Sequence, residues 1–166
     1  MLIPNITRTW APKGQTPLVH YLYKQDRISA ISTLTVSPRR KRLALYIQFR
    51  TRNLTGLDVR AFLQDLLRHV KGPLVLLWDR GTIHRRKEVT QWRSKHPRLQ
   101  VEYFPAYAPE LNPVEYIWGH LKTHEIGNLI ANKAWELGLA ATAALRRMRR
   151  RKCIVAACYT QAELWP

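Results

Sequence analysis

The sequence predicts an α/β domain in which a mixed sheet carries helices on both faces. Residues 27–36 alternate and are rich in Ile, Thr and Val, and residues 43–49 form a second apolar segment, which favours two antiparallel strands around the turn 37–42. From residue 55 onward, helical apolar spacing alternates with short continuous apolar runs. A hairpin followed by α/β alternation is typical of a mixed sheet.

The N-terminal region reads as a loop followed by a strand. Residues 1–17 contain three prolines and Gly14, and Trp10 is expected to anchor this loop. Residues 18–23 are apolar enough to form a first strand.

Alternating elements are predicted after the hairpin. Thr55 with Asp58 approximates a capping box, and helical spacing continues to His69 or Val70 before Lys71 and Gly72 end the helix. The remaining strands are predicted at residues 73–79, as a buried central strand, and at 99–104. The remaining helices are predicted within residues 85–95 and at 113–125, 132–152 and 154–164.

The charge of the chain indicates a polyanionic partner. The 166 residues carry 28 Lys and Arg against 11 Asp and Glu, a formal net charge of +17. Such an excess of positive charge costs self-repulsion unless a polyanion neutralises it, and nucleic acid is the leading candidate. A basic protein without chemistry, such as a ribosome-associated one, is the alternative.

The remaining composition excludes several classes of protein. Cys153 and Cys158 form neither a disulfide framework nor a zinc pattern, so both are expected to be reduced thiols. The N-terminus lacks the pattern of a signal peptide, and no apolar window is long enough to cross a membrane. We therefore expect a soluble intracellular protein.

Two acidic residues lie where an α/β sheet usually places its site. Asp79 follows an apolar strand, and ligands bind outside the carboxyl ends of strands. Capping of its own turn explains Asp79 equally well. Glu115 is the third residue of a helix start in which Asn112 is the N-cap and Pro113 the first residue, so the helix alone explains it. Two such carboxylates also suit Mg²⁺, and two ions suit displacement at a phosphodiester.

The segments "LLWDRGTIH" (76–84) and "FPAYAPELNPVEYIWGHLK" (104–122), with "RTWAPKGQTP" (8–17) more loosely, resemble the catalytic domain of DDE-type transposases of the mariner-like insertion-sequence superfamily. The resemblance implies an RNase H-like fold and an Asp-Asp-Glu triad that binds two Mg²⁺ or Mn²⁺ ions. By position, Asp79 corresponds to the second Asp and Glu115 to the Glu. His84 and Asn112 correspond to supporting residues.

Two positions depart from that family. Arg80 stands where Asn is frequent, which suggests a phosphate contact. The first Asp is absent, because the chain begins beyond the point where the family carries it, and Asp26, Asp58 and Asp65 offer no substitute. We therefore expect an N-terminally truncated catalytic domain that binds Mg²⁺ poorly and does not cut DNA by itself. Its missing part is expected to be lost or separately encoded.

The resemblance and the basic segments also predict the organisation of the chain. Residues 1–130 are expected to form the catalytic core, and residues 131–166 a basic helical extension packed on it. His84 also reads as an ordinary loop histidine, Trp118 as a core residue, and Lys122 as facing either DNA or solvent. The run "RRMRRRK" (146–152) is expected to contact phosphates without sequence specificity. Its arginines are Arg146, Arg147, Arg149, Arg150 and Arg151.

Two functions remain open on the sequence alone. The leading one is a transposase catalytic fragment whose intact relatives cleave and transfer DNA strands, act as homodimers, and work on cytoplasmic, nucleoid-associated DNA. The rival is a non-catalytic, basic nucleic-acid-binding protein that retains the fold.

Overall fold

The computed structural model describes residues 5–18, 20, 27–39 and 42–164. The strands are β1 (Ser29–Val36), β2 (Leu43–Arg50), β3 (Leu74–Trp78) and β4 (Leu99–Tyr103). The helices are α1 (Gly56–His69), α2 (Lys87–Ser94), α3 (Pro113–His120), α4 (Ala134–Arg150) and α5 (Lys152–Gln161). Two short 3₁₀ turns (Thr82–Arg85 and Pro109–Leu111) precede α2 and α3, and a π turn (Leu121–Glu125) follows α3.

The structure does not confirm the predictions for the N-terminal region. The strand predicted at residues 18–23 lies outside the described residues except for Leu18 and His20, which are exposed and belong to no strand. Trp10 is fully exposed, so the expectation that it anchors the loop is wrong.

The predicted hairpin is present. β1 pairs antiparallel with β2, with Ser29 opposite Arg50 and Val36 opposite Leu43. A second pair is parallel and joins β3 to β4, with Trp78 opposite Tyr103. In the described part of the chain these remain two two-stranded sheets, with no hydrogen-bonded ladder between them.

β3 is covered on one face only, which corrects the prediction of a buried central strand. Leu76 and Trp78 are buried, whereas Val75 and Leu77 are 57% and 48% exposed. Side chains alternate between the faces of a strand, so a continuous apolar run does not by itself show that both faces are covered.

Helices cover both faces of the hairpin. Ile31 and Tyr46 pack into a cluster built mainly by α1, β3 and β4. On the other face, Leu45 belongs to a second cluster with Ile117 of α3. The second cluster also takes in residues of α4 and α5: Ala144, Leu145, Met148, Val155, Cys158 and Tyr159. The two C-terminal helices therefore contribute directly to the core. Cys153 and Cys158 are free thiols, as the sequence predicted.

The predicted capping box fixes the start of α1. The Thr55 hydroxyl accepts from the Asp58 backbone N–H, and the Asp58 carboxylate accepts from the Thr55 N–H at 2.8 Å. Asp58 is buried and also pairs with Arg52 at 2.7 Å and Arg50 at 3.3 Å. The hydrogen bond from Arg52, reinforced by Thr55, holds the pKa of the Asp58 carboxyl well below its usual range.

We expect Asp58→Asn to lower the free energy of unfolding by about 2 kcal/mol at pH 7, because a buried carboxylate loses charged hydrogen bonds. Urea unfolding measures this loss. Asp65→Asn on the same helix is the matched control, and its exposed pair with Arg68 predicts a loss below about 1 kcal/mol. Equal losses for the two variants would contradict this account of the buried network.

Candidate functional site

One cavity brings together four of the predicted site residues. It has a volume of about 290 Å³ and lies between β1, β3, α1 and the start of α3. Asp79, His84, Asn112 and Glu115 all line it, although they come from two separate segments of the chain, residues 79–84 and 112–115. The two carboxylates therefore open onto one space.

Asp79 leaves the end of β3 and is held by the following turn. Its Oδ1 accepts from the Gly81 backbone N–H at 3.0 Å and lies 3.1 Å from Nε2 of His84. A Cβ on residue 81 would lie 2.9 Å from that oxygen, so a larger residue there would displace the Asp79 carboxylate. Asp79 thus caps its turn and also faces the cavity, with 62% of its side chain exposed.

His84 is a packed residue as well as a partner of Asp79. Its ring stacks on Trp78 with centroids 4.3 Å apart, and only 15% of its side chain is exposed. Burial lowers the pKa of His84, and the Asp79 carboxylate offsets part of that effect. When Nε2 donates to Asp79, Nδ1 is the unprotonated nitrogen, and it is buried without a partner in the described residues. The interpretation of His84 as an ordinary loop histidine therefore misses its packing.

The buried His84 predicts a pH-dependent stability. Because its folded-state pKa lies below the ordinary value of about 6.5, its contribution is full above that pH and is lost as the pH falls below it. We expect His84→Phe, which keeps a ring on Trp78, to reduce the loss of unfolding free energy between pH 7 and pH 5. Urea titrations at both pH values measure this change.

A second histidine should account for the pH dependence of stability that remains in His84→Phe. The pKa of His120 is also lowered, chiefly by burial and by His124, so part of the pH dependence should persist in His84→Phe. His20→Gln is the control, because His20 is exposed. A variant at His84 with unchanged pH dependence would count against the buried neutral ring.

The start of α3 aims Glu115 without using its carboxylate as a cap. Asn112 is the N-cap, and its Oδ1 accepts from the Val114 N–H at 3.1 Å. The Asn112 N–H donates to the carbonyl of Pro109, so the reciprocal bond of a capping box is not made by Glu115. The Glu115 side chain is exposed and has no hydrogen-bond or ion-pair partner in the described ranges. The start of α3 explains the position of Glu115, but the Glu115 carboxylate plays no part in capping the helix.

Neither cavity carboxylate is paired with a strong cation in the part of the chain that is described. Asp58, Asp65 and Glu125 each contact an arginine, whereas Asp79 meets only His84 and Glu115 meets none. Five other acids of the described residues also lack a Lys or Arg partner, so what distinguishes Asp79 and Glu115 is the cavity that they share. Their carboxylates are thereby available to an external cation.

Asp79 and Glu115 match a divalent cation in the chemistry of their oxygens only. Oxygen ligands of this kind suit Mg²⁺ or Mn²⁺. Among the described residues, however, no group of three or more His, Cys, Asp or Glu side chains is placed to hold a metal ion. The residues present therefore fit a divalent cation in chemical type but fall short in number.

The other predicted contacts lie in different surroundings. Arg80 is exposed, and its Nε donates to the carbonyl of Phe104 at 3.4 Å, so it links the ends of β3 and β4. Lys122 is exposed in the π turn, and its side chain has no partner in the described segments. Trp118 is half-buried against the second cluster, which contains Leu45 and Ile117, in line with the prediction of a core residue.

The arginine run divides into two groups. Arg147 pairs with Glu125 at 2.7 Å, and Arg149 donates to the carbonyl of Leu45 at 2.8 Å. Both therefore hold α4 against the rest of the fold. The other three are exposed and make no side-chain hydrogen bond or ion pair within the described residues; they are Arg146, Arg150 and Arg151.

Two structural residues were missed on the sequence. Asn128 has a positive φ of 58°, and its side chain bonds both the N–H and the carbonyl of Thr7, at 2.8 and 3.0 Å. Tyr107 also has a φ of 58° and is fully exposed in the loop before α3. The pair Gly127–Asn128 is a turn signal that points to the first of these. Nothing in the sequence indicates the backbone conformation of Tyr107.

No helix in the described ranges is long and apolar enough to cross a membrane.

Comparison with known proteins shows the following similarities. The profile of a family described as DDE superfamily endonuclease matches residues 2–135. The Insertion element IS630 uncharacterized 39 kDa protein of Shigella sonnei is 31% identical over 64 residues, which is 39% of this chain and 19% of that protein. The crystal structure of the Mos1 Strand Transfer Complex superposes with a TM-score of 0.59 at 13% identity, over 98% of this chain and 48% of that chain. The chain thus spans less than half the length of these relatives.

Proposed function

Because the chain belongs to the DDE superfamily endonucleases, as the sequence resemblance predicted, we propose that it is the catalytic-domain fold of a transposase. The observation that supports this proposal is the placement of Asp79 and Glu115 on one cavity, with no Lys or Arg partner in the described residues. Its fold resembles that of the structural neighbour, and we propose that the two strand pairs are the halves of one RNase H-like mixed sheet.

In this proposal each cavity residue has a separate task. Asp79 and Glu115 are the carboxylates that hold divalent cation, His84 orients Asp79, and Asn112 fixes the helix start that aims Glu115. Divalent cations would supply the activated water and the charge stabilisation for strand cleavage and transfer in the intact enzyme. Two carboxylates are too few for a pair of ions, so we propose that this chain alone does not cleave DNA.

A strand-cleavage assay tests the proposal of inactivity. The purified 166-residue chain, incubated with labelled duplex DNA and Mg²⁺ or Mn²⁺, is expected to give no more cleavage than Asp79→Ala. Cleavage by the wild-type chain that Asp79→Ala and Glu115→Ala abolish would overturn inactivity and establish catalysis by these residues. Asp65→Ala, which removes an acid on α1 away from the cavity lining, is the control for a general loss of activity.

We further propose DNA as the partner of the exposed cationic residues. Arg80, Lys122 and the three free arginines of the C-terminal run are the proposed phosphate contacts. Residues 1–130 form the proposed core, and residues 131–166 the basic extension. A separately encoded N-terminal part, a homodimer in the active form, and action on cytoplasmic, nucleoid-associated DNA complete the proposal.

A non-catalytic nucleic-acid-binding protein is the second candidate. It is favoured by the lack of a third acidic ligand in the described residues, together with a net charge of +17. The two candidates differ in their response to divalent cation. Isothermal titration calorimetry measures the binding of Mg²⁺ or Mn²⁺. Binding that is lost when Asp79 or Glu115 is replaced would support the transposase origin of the site. Salt-dependent DNA binding without any binding of the cation would support the non-catalytic protein.

A further inference from the structure

One face of α4 exposes apolar and cationic side chains in a single line. Successive residues of an α-helix are rotated by about 100°, so residues three, four or seven positions apart lie on one side. Five exposed residues of α4 fall within about 80° of one another by this spacing. They are Trp135, Leu139, Ala143, Arg146 and Arg150. We call this line of residues the α4 stripe.

The opposite face of α4 is buried, which fixes the direction of the stripe. Ala144 and Met148 are completely buried in the second core cluster. At about 100° per residue, both lie on the far side of the helix from the stripe. Arg147 and Arg149, on the two flanks, hold α4 to the rest of the fold. The α4 stripe therefore faces away from the rest of the fold.

The α4 stripe has two halves of different chemistry. Trp135 and Leu139, in the N-terminal half, are 56% and 62% exposed, although burial of large apolar side chains is favourable. Arg146 and Arg150, in the C-terminal half, are exposed and make no side-chain hydrogen bond or ion pair within the described residues. A ligand that fits the whole stripe therefore carries both an apolar face and negative charge.

We infer that the α4 stripe binds unpaired DNA, with a base stacked on the Trp135 ring and phosphates on Arg146 and Arg150. Aromatic rings beside cations are the groups with which proteins hold single strands, because every base has a flat π-face and every nucleotide a phosphate. Residues four apart on a helix are separated by about 6 Å along its axis. This distance is close to the spacing of successive phosphates in an extended strand, so the two arginines can contact consecutive phosphates.

Unpaired DNA fits the α4 stripe better than a duplex does. In a duplex the faces of the bases are stacked on one another, so a protein reaches only phosphates, sugars and base edges. The arginines of the stripe can bind such a duplex, but Trp135 and Leu139 then remain exposed. The apolar half of the stripe therefore favours bases that lie outside a duplex.

The charge around the α4 stripe also favours nucleic acid over a second copy of the chain. Each copy has a net charge of +17, so association through a surface that holds two unpaired arginines is opposed by repulsion. The acidic residue of α4, Glu136, is turned to its own chain, because its carboxylate accepts from the Asn132 backbone N–H at 2.8 Å. A phosphate at Arg146 or Arg150 therefore meets cations.

The inference extends the proposed DNA partner to a surface that the family match does not describe. The family profile covers residues 2–135, so almost all of the α4 stripe lies beyond it. Strand cleavage produces DNA ends, where bases unpair more readily than inside a duplex. The choice of DNA as the source of the strand rests on the proposed function, whereas the stacking surface itself does not.

Fluorescence anisotropy with the full chain tests the stacking half of the stripe. The labelled ligands are oligo-dT of about 12 nucleotides, an abasic oligomer of the same length, and a duplex of the same length. We expect oligo-dT to bind about tenfold tighter than the abasic oligomer, because stacking of one base contributes on that order. Trp135→Ala should bind the two oligomers equally, whereas Trp135→Phe should keep part of the preference. Thermal unfolding establishes that the variants are folded, and the comparison of ligands on the wild-type chain needs no variant.

Salt dependence tests the two halves separately. Trp135→Ala should leave the slope of log K against log salt for oligo-dT unchanged, because the ring carries no charge. Arg146→Gln with Arg150→Gln should flatten that slope by up to about 1.4, at about 0.7 for each phosphate of a single strand. Trp10→Ala, which removes an exposed indole of the N-terminal loop, is the matched control and should keep the preference for bases. An unchanged preference in Trp135→Ala, or an equal loss in Trp10→Ala, would overturn the inference.

The remaining outcomes separate the α4 stripe from the proposed function. If Trp135→Ala weakened duplex and oligo-dT binding equally, the inference would be overturned and the proposed DNA partner would stand. If no DNA ligand bound in a salt-dependent way, the proposed DNA partner would fail together with the stripe. Tenfold tighter binding of oligo-U RNA would assign the stripe to RNA, and a dimer in sedimentation equilibrium that Trp135→Ala dissociates would assign it to a second copy. Either result would overturn the inference.

Discussion

DNA affinity is expected to fall on the order of 100-fold at about 0.15 M salt when Arg146, Arg150 and Arg151 are all changed to Gln. Each phosphate contact contributes about 0.9 to the slope of log K against log salt, so the slope should flatten by up to about 2.7. These three guanidinium groups are exposed and unpaired within the described residues, which leaves them available to phosphate. Fluorescence anisotropy with a labelled duplex, repeated over a series of salt concentrations, measures both quantities.

The other two arginines of the run provide the comparison. Arg147→Gln with Arg149→Gln breaks the contacts to Glu125 and to the Leu45 carbonyl. This double variant should lose stability. For each charge removed, its slope of log K against log salt should change less than that of the triple variant. If the slope flattened equally per charge in the two variants, only the total charge would matter for DNA binding. That result would contradict the division of the arginines into two groups.

The second large effect is expected at Met148, the buried apolar residue within that run. Met148→Ala should lower the free energy of unfolding by about 3 kcal/mol, because it empties a fully buried site. Met148 is 0% exposed, and it packs in the cluster that includes Leu45 of β2 and Ile117 of α3. For a chain of this size the unfolding temperature should fall by about 10 °C. Urea unfolding and a thermal scan measure the two values.

Leu139→Ala on the same helix is the matched control. Leu139 is 62% exposed, so its removal should change the free energy of unfolding by no more than about 0.5 kcal/mol. A loss below 1 kcal/mol for Met148→Ala would contradict the close packing of α4 against β2 and α3.

Local signals predicted most of the secondary structure. Thr55 and Asp58 start α1, and Asn112 starts α3, as expected from capping chemistry alone. The hairpin followed from the composition of its two strands. Such features depend on neighbours a few residues away, which the sequence contains directly.

The predictions that were wrong depended on tertiary context. The apolar run of β3 was expected to be covered on both faces, yet Val75 and Leu77 are exposed. Trp10 was expected to anchor the N-terminal loop, yet it is exposed. The hydrophobicity of a residue indicates that its burial is favourable. Whether the side chain is buried depends on which other elements of the fold pack against it.

The candidate site was predictable in its residue types and only partly in its geometry. The motif around Glu115 and the strand before Asp79 located both carboxylates, and both line one cavity. The stacking of His84 on Trp78 and the close approach of Gly81 to the Asp79 carboxylate were not predictable, because they depend on ångström-scale packing between the strand end and its turn. The separation of the C-terminal arginines by their partners is likewise a product of the fold.

The bonds that join Asn128 to Thr7 link residues that are 121 positions apart. During synthesis at about 5–20 residues per second, the N-terminal segment must wait on the order of 10 s for this partner to be made. Closing so long a loop favours late docking in folding. The contact between residues 7 and 128 therefore closes after the core has formed.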